Sequence, residues 1–239
     1  MAASLTIAPR FIGPPRSAHG GYTCGLVATA LGGGVAVSLR SPPPLGRPLE
    51  LERRGDGAVL LDGSTVLAEA TPATVTVQPP PMPEPAPPAA DDPVYGELHR
   101  HPFPTCFACG PERGPGDGLR IFASRVPGVP GTVAAPWTPD PGLAGPGGAV
   151  EPVFAWAALD CPTGHACAIG TPAVLARLAV SSLAPVRAGQ PHVVAAWTSG
   201  RDGRKHHAAG CLYAADGTPL ALAEALWIEL RDPAAMGAR

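Results

Sequence analysis

At 239 residues the chain can bury a sizeable core, and its length accommodates one or two domains. Hydrophobic residues make up 45% and mean hydropathy is +0.13, a globular composition that excludes an intrinsically disordered chain. A net charge of −2 and a pI near 6.4 leave no excess that would seek nucleic acid or an anionic membrane.

Met1 to Phe11 lack the basic and long apolar regions of a secretory signal, and no stretch approaches the roughly 20 apolar residues a membrane helix needs. The six cysteines are dispersed, so reduced thiols in a cytoplasmic protein are the expectation. Gly20 to Leu31 (GGYTCGLVATAL) predicts an apolar helix opened by two glycines. The stretch from Val35 to Val77 then alternates β-rich runs with turn signals such as Gly55-Asp56-Gly57 and Asp62-Gly63, as an antiparallel meander does.

From Gln78 to Pro93 the sequence reads QPPPMPEPAPPAADDP, which can form neither helix nor central strand and predicts an extended connector. Beyond it, Gly147 to Asp160 again opens with two glycines and turns helical, and a second β-rich stretch follows. Val37-Ser38 with Leu45-Gly46-Arg47-Pro48 mirrors Val180-Ser181 with Ala188-Gly189-Gln190-Pro191. Asp62-Gly63-Ser64-Thr65 mirrors Asp216-Gly217-Thr218-Pro219. The reading is one helix-then-meander unit used twice. Both helices are apolar nearly all round, so each needs a curved sheet wrapped about it.

These residues carry a resemblance. Gly13 to Tyr22 (GPPRSAHGGY), a helix, and Arg40 to Leu49 (RSPPPLGRPL) resemble the double-hotdog acyl-CoA thioesterases. Phe107 to Pro111 (FACGP), leading into Gly118 to Phe122, is similar to the lead-in strand of single-domain hotdog thioesterases. Ala157 to Asp160 matches the helix end where that superfamily carries its catalytic carboxylate. The resemblance implies an α+β fold of two tandem hotdog domains. The expected divisions are an abbreviated first domain over 1–77, a proline-rich linker over 78–98 and a second domain over 99–239.

The implied activity is hydrolysis of an acyl-CoA-like thioester, which needs a carboxylate to activate water and donors for the developing oxyanion. Asp160 is the only acid in the apolar segment from Val153 onward and is expected to be the base or the group that orients the water. The competing structural reading makes Asp-Cys-Pro-Thr-Gly a helix-terminating turn. His19-Gly20-Gly21-Tyr22 is expected to supply the helix-terminal oxyanion site, and Gly147-Gly148 could form a second such turn. Ala28 to Gly34, the first-copy equivalent of the Asp160 stretch, has no acid, which predicts one competent and one degenerate site.

The family partners Asp160 with a Thr or Ser and a Gln, but Leu175 and Ala225 occupy the expected places. Thr163, His165, Ser181 or Glu224 are the available substitutes. Trp156 and Tyr22 are expected in the core or the pocket wall, and Arg204 and Lys205, on a basic hairpin tip, could meet CoA phosphates.

His99-x-His101-x4-Cys106-x2-Cys109 contains four potential zinc ligands, but the default reading is buried thiols beside a turn, so no cofactor is expected. A redox CxxC lacks its βαβ surroundings. Two other activities stay open: a hotdog 3-hydroxyacyl-thioester dehydratase using His19 or His165, and a non-catalytic acyl-thioester or small-apolar-ligand binder. A fused double hotdog already mimics a two-fold dimer, and a further homodimer stays open.

Overall fold

Period-two alternation and tight turns set most of the chain. The computed structural model describes residues 2–88, 92, 95, 101–168 and 170–232. Their strands are β1 (Ala2–Thr6), β2 (Val35–Leu39), β3 (Pro48–Arg54), β4 (Gly57–Asp62), β5 (Thr65–Pro72), β6 (Ser124–Arg125) and β7 (Thr132–Trp137), then β8 (Ala173–Ser182), β9 (His192–Asp202), β10 (Lys205–Ala214) and β11 (Pro219–Glu229). In β3, for example, Leu49 and Leu51 turn inward while Pro48 and Glu50 face solvent. Among the described residues the strands form one antiparallel sheet in the order β1-β3-β4-β5-β2-β8-β11-β10-β9-β7-β6.

The order reads alike from both ends toward the β2–β8 seam. The connections match as well. Gly13 N–H bonds Ser17 O, His19 N–H bonds Phe11 O and Ala18 N–H bonds Pro43 O. In the second half, Gly145 N–H bonds Ala149 O, Glu151 N–H bonds Leu143 O and Val150 N–H bonds Val186 O. Gly46 and Gly189 likewise donate to Ile7 and Pro139.

The two α-helices among the described residues are α1 (Gly20–Thr29) and α2 (Pro152–Cys167). They pack against each other, with α2 also lying on β9 and β10 and α1 on β2. Close approach requires small residues on α1. A Cβ at Gly21 would lie 2.5 Å from Asp160 Cβ and 2.7 Å from the Trp156 carbonyl oxygen, and one at Gly25 would meet Trp156 and Val153 at 3.0 Å. This mutual burial explains why neither helix has a polar face.

Two expectations for α2 need correction. Gly147 and Gly148, at φ +82° and +75°, form a turn before the helix and do not open it. The first helical residue is Pro152, whose fixed φ and missing N–H suit that position. At the other end the helix does not stop at Asp160. It continues through Pro162, and the Thr163 hydroxyl donates to the Asp160 carbonyl at 2.6 Å.

The described part of the proline-rich run forms neither helix nor strand, and it is docked on the sheet. Thr76 and Val77 N–H donate to Glu224 Oε1, Tyr213 hydroxyl donates to Pro80 O, and Val75, Val77 and Met82 pack on a small cluster around Val193, Ala195 and Leu222. Glu224 is thereby committed to the connector, not to a site. No helix among the described residues is long and apolar enough to cross a membrane.

Candidate active site

The start of α1 meets the middle of α2 at a pocket of about 270 Å³. Its lining includes His19, Gly20, Asp160, Cys161, Leu175 and Trp227. Asp160 is only 3% exposed, although an Asp in a helix of this kind would ordinarily face water. The helix start receives it: Gly21 N–H donates to Asp160 Oδ2 at 2.6 Å. That geometry combines an unpaired helix-terminal donor, the positive end of the helix dipole and a glycine small enough to admit the carboxylate.

His19 caps the same turn. Its Nδ1 accepts the Tyr22 N–H at 3.2 Å, so in the neutral ring the proton sits on Nε2, which lies 3.4 Å from Asp160 Oδ2 and 3.3 Å from Cys161 Sγ. Asp160 Oδ1 is buried with no partner among the described residues. The N–H of Gly20, first in the helix, also has no acceptor there. One carboxylate oxygen is therefore anchored, and the other is available beside a free donor.

Burial drives the Asp160 carboxyl above its ordinary range, against the opposing pull of His19 and the Gly21 N–H. Burial alone would depress the His19 imidazole, but the Asp160 carboxylate and the Cys106 sulfur outweigh it and leave it raised. The Cys106 thiol, hydrogen-bonded by Cys109 and Cys161 and attracted by His19, is pushed down despite its burial.

The other sequence expectations separate sharply. Thr163 does not line the pocket; its hydroxyl accepts the Trp227 indole N–H at 3.0 Å and so fixes a pocket wall. His165 lies elsewhere, edge-on to the rings of Tyr95 and His101. Tyr22 stacks on Phe11 with ring centroids 3.9 Å apart, outside the pocket lining. Trp156 is buried at the helix–helix contact. Arg204 bonds the Glu229 carbonyl and Lys205 pairs with Asp202 at 3.8 Å, and neither lines the pocket. Arg40 does line it, paired with Glu69.

Cys161, Trp227 and Arg40 were not singled out from sequence; the fold brings Arg40, just past the end of β2, and Trp227, on β11, to the pocket that Asp160 and Cys161 line. Leu175, opposite Trp227 across the β8–β11 ladder, makes the wall apolar where the family pattern asks for a polar partner. Two groups of side chains have metal-ligand atoms within 4.8 Å of one another: His19, Cys106 and Cys161 in this site, and His101, Cys109 and His165 beyond it. His99 lies outside the described residues.

Comparison with solved structures places this arrangement. A tesB protein from Mycobacterium avium subspecies paratuberculosis superposes with a TM-score of 0.61 at 16% identity, over 96% of this chain and 93% of that one. A conserved protein of unknown function with a hot dog fold from Alicyclobacillus acidocaldarius gives 0.61 at 14% identity, over 97% and 94%. The fold is a hotdog fold. The sequence matches no protein-family model and no curated protein.

Proposed function

We propose that the chain is a tandem double hotdog that hydrolyses acyl-CoA-like thioesters at the junction of α1 and α2. The recurrence of the same backbone hydrogen bonds before both helices, and the sheet order that reads alike from both ends, support the tandem arrangement. The observation that carries the chemistry is Asp160, buried at a helix start with Oδ2 anchored by Gly21 N–H and Oδ1 unpartnered at a pocket wall.

In this mechanism Asp160 Oδ1 holds a water and accepts its proton as the oxygen attacks the thioester carbonyl carbon. The carbonyl oxygen takes up negative charge toward the Gly20 N–H and the positive end of α1. Collapse re-forms the carbonyl and breaks the C–S bond. The proton held by Asp160 passes to the departing thiolate, giving a carboxylic acid and a free thiol. His19 acts as a positioning residue: its Nε2–H faces Oδ2 and its Nδ1 closes the helix cap. Arg40, at the pocket lining with an exposed side chain, is the cation placed for CoA phosphates, in place of Arg204 and Lys205.

A second reading has one specific observation behind it. The His19–Asp160 pair at 3.4 Å is the kind of imidazole–acid pair that reversible hydration of an enoyl thioester uses. The two activities are separated by incubating the protein with short, medium, branched and aromatic acyl-CoAs and with enoyl-CoAs. Free-thiol release from saturated substrates is the expected result. Hydration of the enoyl double bond without thiol release would transfer the site to the second reading. Neither reaction, with ligand-induced thermal shifts, would make it a binder.

A further inference from the structure

Beyond the pocket, the far end of α2 faces the Cys-x-x-Cys segment across a second buried group of ligand-type side chains. We propose that His101, Cys109 and His165 form a binding site for one divalent transition-metal ion of the zinc class. Their ligand atoms all lie within 4.8 Å of one another. His101 and Cys109 are 4% and 2% exposed, and both His101 Nε2 and His165 Nδ1 are buried with no hydrogen-bond partner among the described residues. Two orphaned imidazole nitrogens beside a thiol are costly in a dry interior and are the donor set that Zn²⁺ prefers.

The surroundings hold these donors in place. The Ala123 backbone lies close enough to the His165 ring to favour its protonated form, while Nδ1 has no partner among the described residues. Cys109 sits on a tight turn in which Gly110 N–H bonds Cys106 O at 2.9 Å. A Cβ at Gly110 would lie 2.5 Å from Cys106 N and Pro104 O, so the turn leaves no room for a side chain. A fourth ligand, either water or the neighbouring Cys106 thiol, would complete a tetrahedron.

One feature opposes binding and is outweighed. His101 Nδ1 accepts the Phe103 N–H at 3.1 Å, which puts the metal-free ring proton on Nε2. Loading a metal moves that proton to Nδ1 and gives up one local hydrogen bond, against metal–ligand bonds worth on the order of ten times as much. The sequence pattern pointed to His99 and Cys106 with His101 and Cys109; the fold supplies His165 from more than fifty positions away. A metal here would clamp the segment carrying Phe103 and Cys106, both in the pocket lining, onto the helix carrying Asp160.

The test is metal analysis of the full chain, followed by chelator stripping and titration with Co²⁺. The expected result is about one metal per chain and a thiolate-to-cobalt charge-transfer band. Cys109→Ser should remove or weaken that band, and His101→Asn and His165→Asn should each weaken Co²⁺ binding on the order of 100-fold. Zn²⁺ should raise the Tm of the stripped wild type but not of His165→Asn. Wild type that stays folded and takes up no cobalt would overturn the proposal, leaving buried water as the occupant. So would cobalt binding unchanged in both histidine variants, which would place the ion at His19, Cys106 and Cys161.

Discussion

The two helix starts share a backbone frame and differ in chemistry. Before α1 and before α2 the same hydrogen bonds recur, and the helices cross so that the start of each lies against the body of the other. At α1 the cap is His19, whose side chain accepts a backbone N–H, followed by Gly20 with a free donor and Gly21 against Asp160. At α2 the cap is Glu151, which makes no side-chain cap bond, followed by Pro152 with no N–H and then Val153 packed on Gly25. Ala28 stands at the position of the first copy that corresponds to Asp160. In the proposed mechanism this frame yields a reactive site only where a free donor, a missing side chain and a carboxylate coincide. On that reading the second start lacks all three: Pro152 has no N–H, Val153 carries a side chain, and Ala28 stands in place of the carboxylate.

Transplanting α2's features onto α1 breaks the contrast. Gly20→Pro removes the proposed oxyanion donor at a position where proline suits a helix, and kcat should fall about 100- to 1000-fold while the helix persists by circular dichroism. Ala28→Asp attempts the reverse. The α2 counterpart of Gly21 is Val153, whose side chain fills the space that Gly21 leaves open for Asp160, so the new carboxylate is kept from the helix-start N–H and becomes a buried unpaired charge. It should cost about 3 kcal/mol in denaturant unfolding and add no turnover. Gly21→Ala forces a Cβ to within 2.5 Å of Asp160 Cβ, and overpacking of about 1–3 kcal/mol should lower the Tm together with activity. Smallest is the effect at the rim. Arg40→Ala should raise KM for acyl-CoA a few-fold with kcat unchanged, whereas Arg204→Ala, outside the pocket lining, should leave both constants alone; the reverse pattern would restore the basic hairpin as the phosphate contact.

Much of this contrast was legible in the chain. Paired turn signals such as Asp62-Gly63 and Asp216-Gly217 mark hairpins that are present, and a lone acid in an apolar helix singled out Asp160. The glycine pair at 147–148 misled about where α2 begins, because glycines at positive φ make a turn whereas proline makes a first helical residue. His165 and Thr163 were grouped with Asp160 by closeness in sequence. At 3.6 residues per turn, however, His165 is rotated roughly 140° from Asp160 about the helix axis and faces His101. Cys161, Trp227 and the His101–His165 pair depend on contacts between distant segments, which no local pattern encodes.

The most direct test of the account is Asp160→Asn, with kcat/KM followed across pH and the Tm measured in parallel. Turnover should fall on the order of 100-fold or more. The wild-type acid limb should lie above the ordinary carboxylate range near 4, because burial raises the Asp160 carboxyl and activity is lost as pH falls through that raised value. A raised folded-state value also means that the ionised carboxylate opposes folding at neutral pH, so the Tm of Asp160→Asn should match or exceed that of wild type. Undiminished turnover with an unchanged acid limb would contradict the assignment of Asp160 as the base and leave the α1 start as a binding surface.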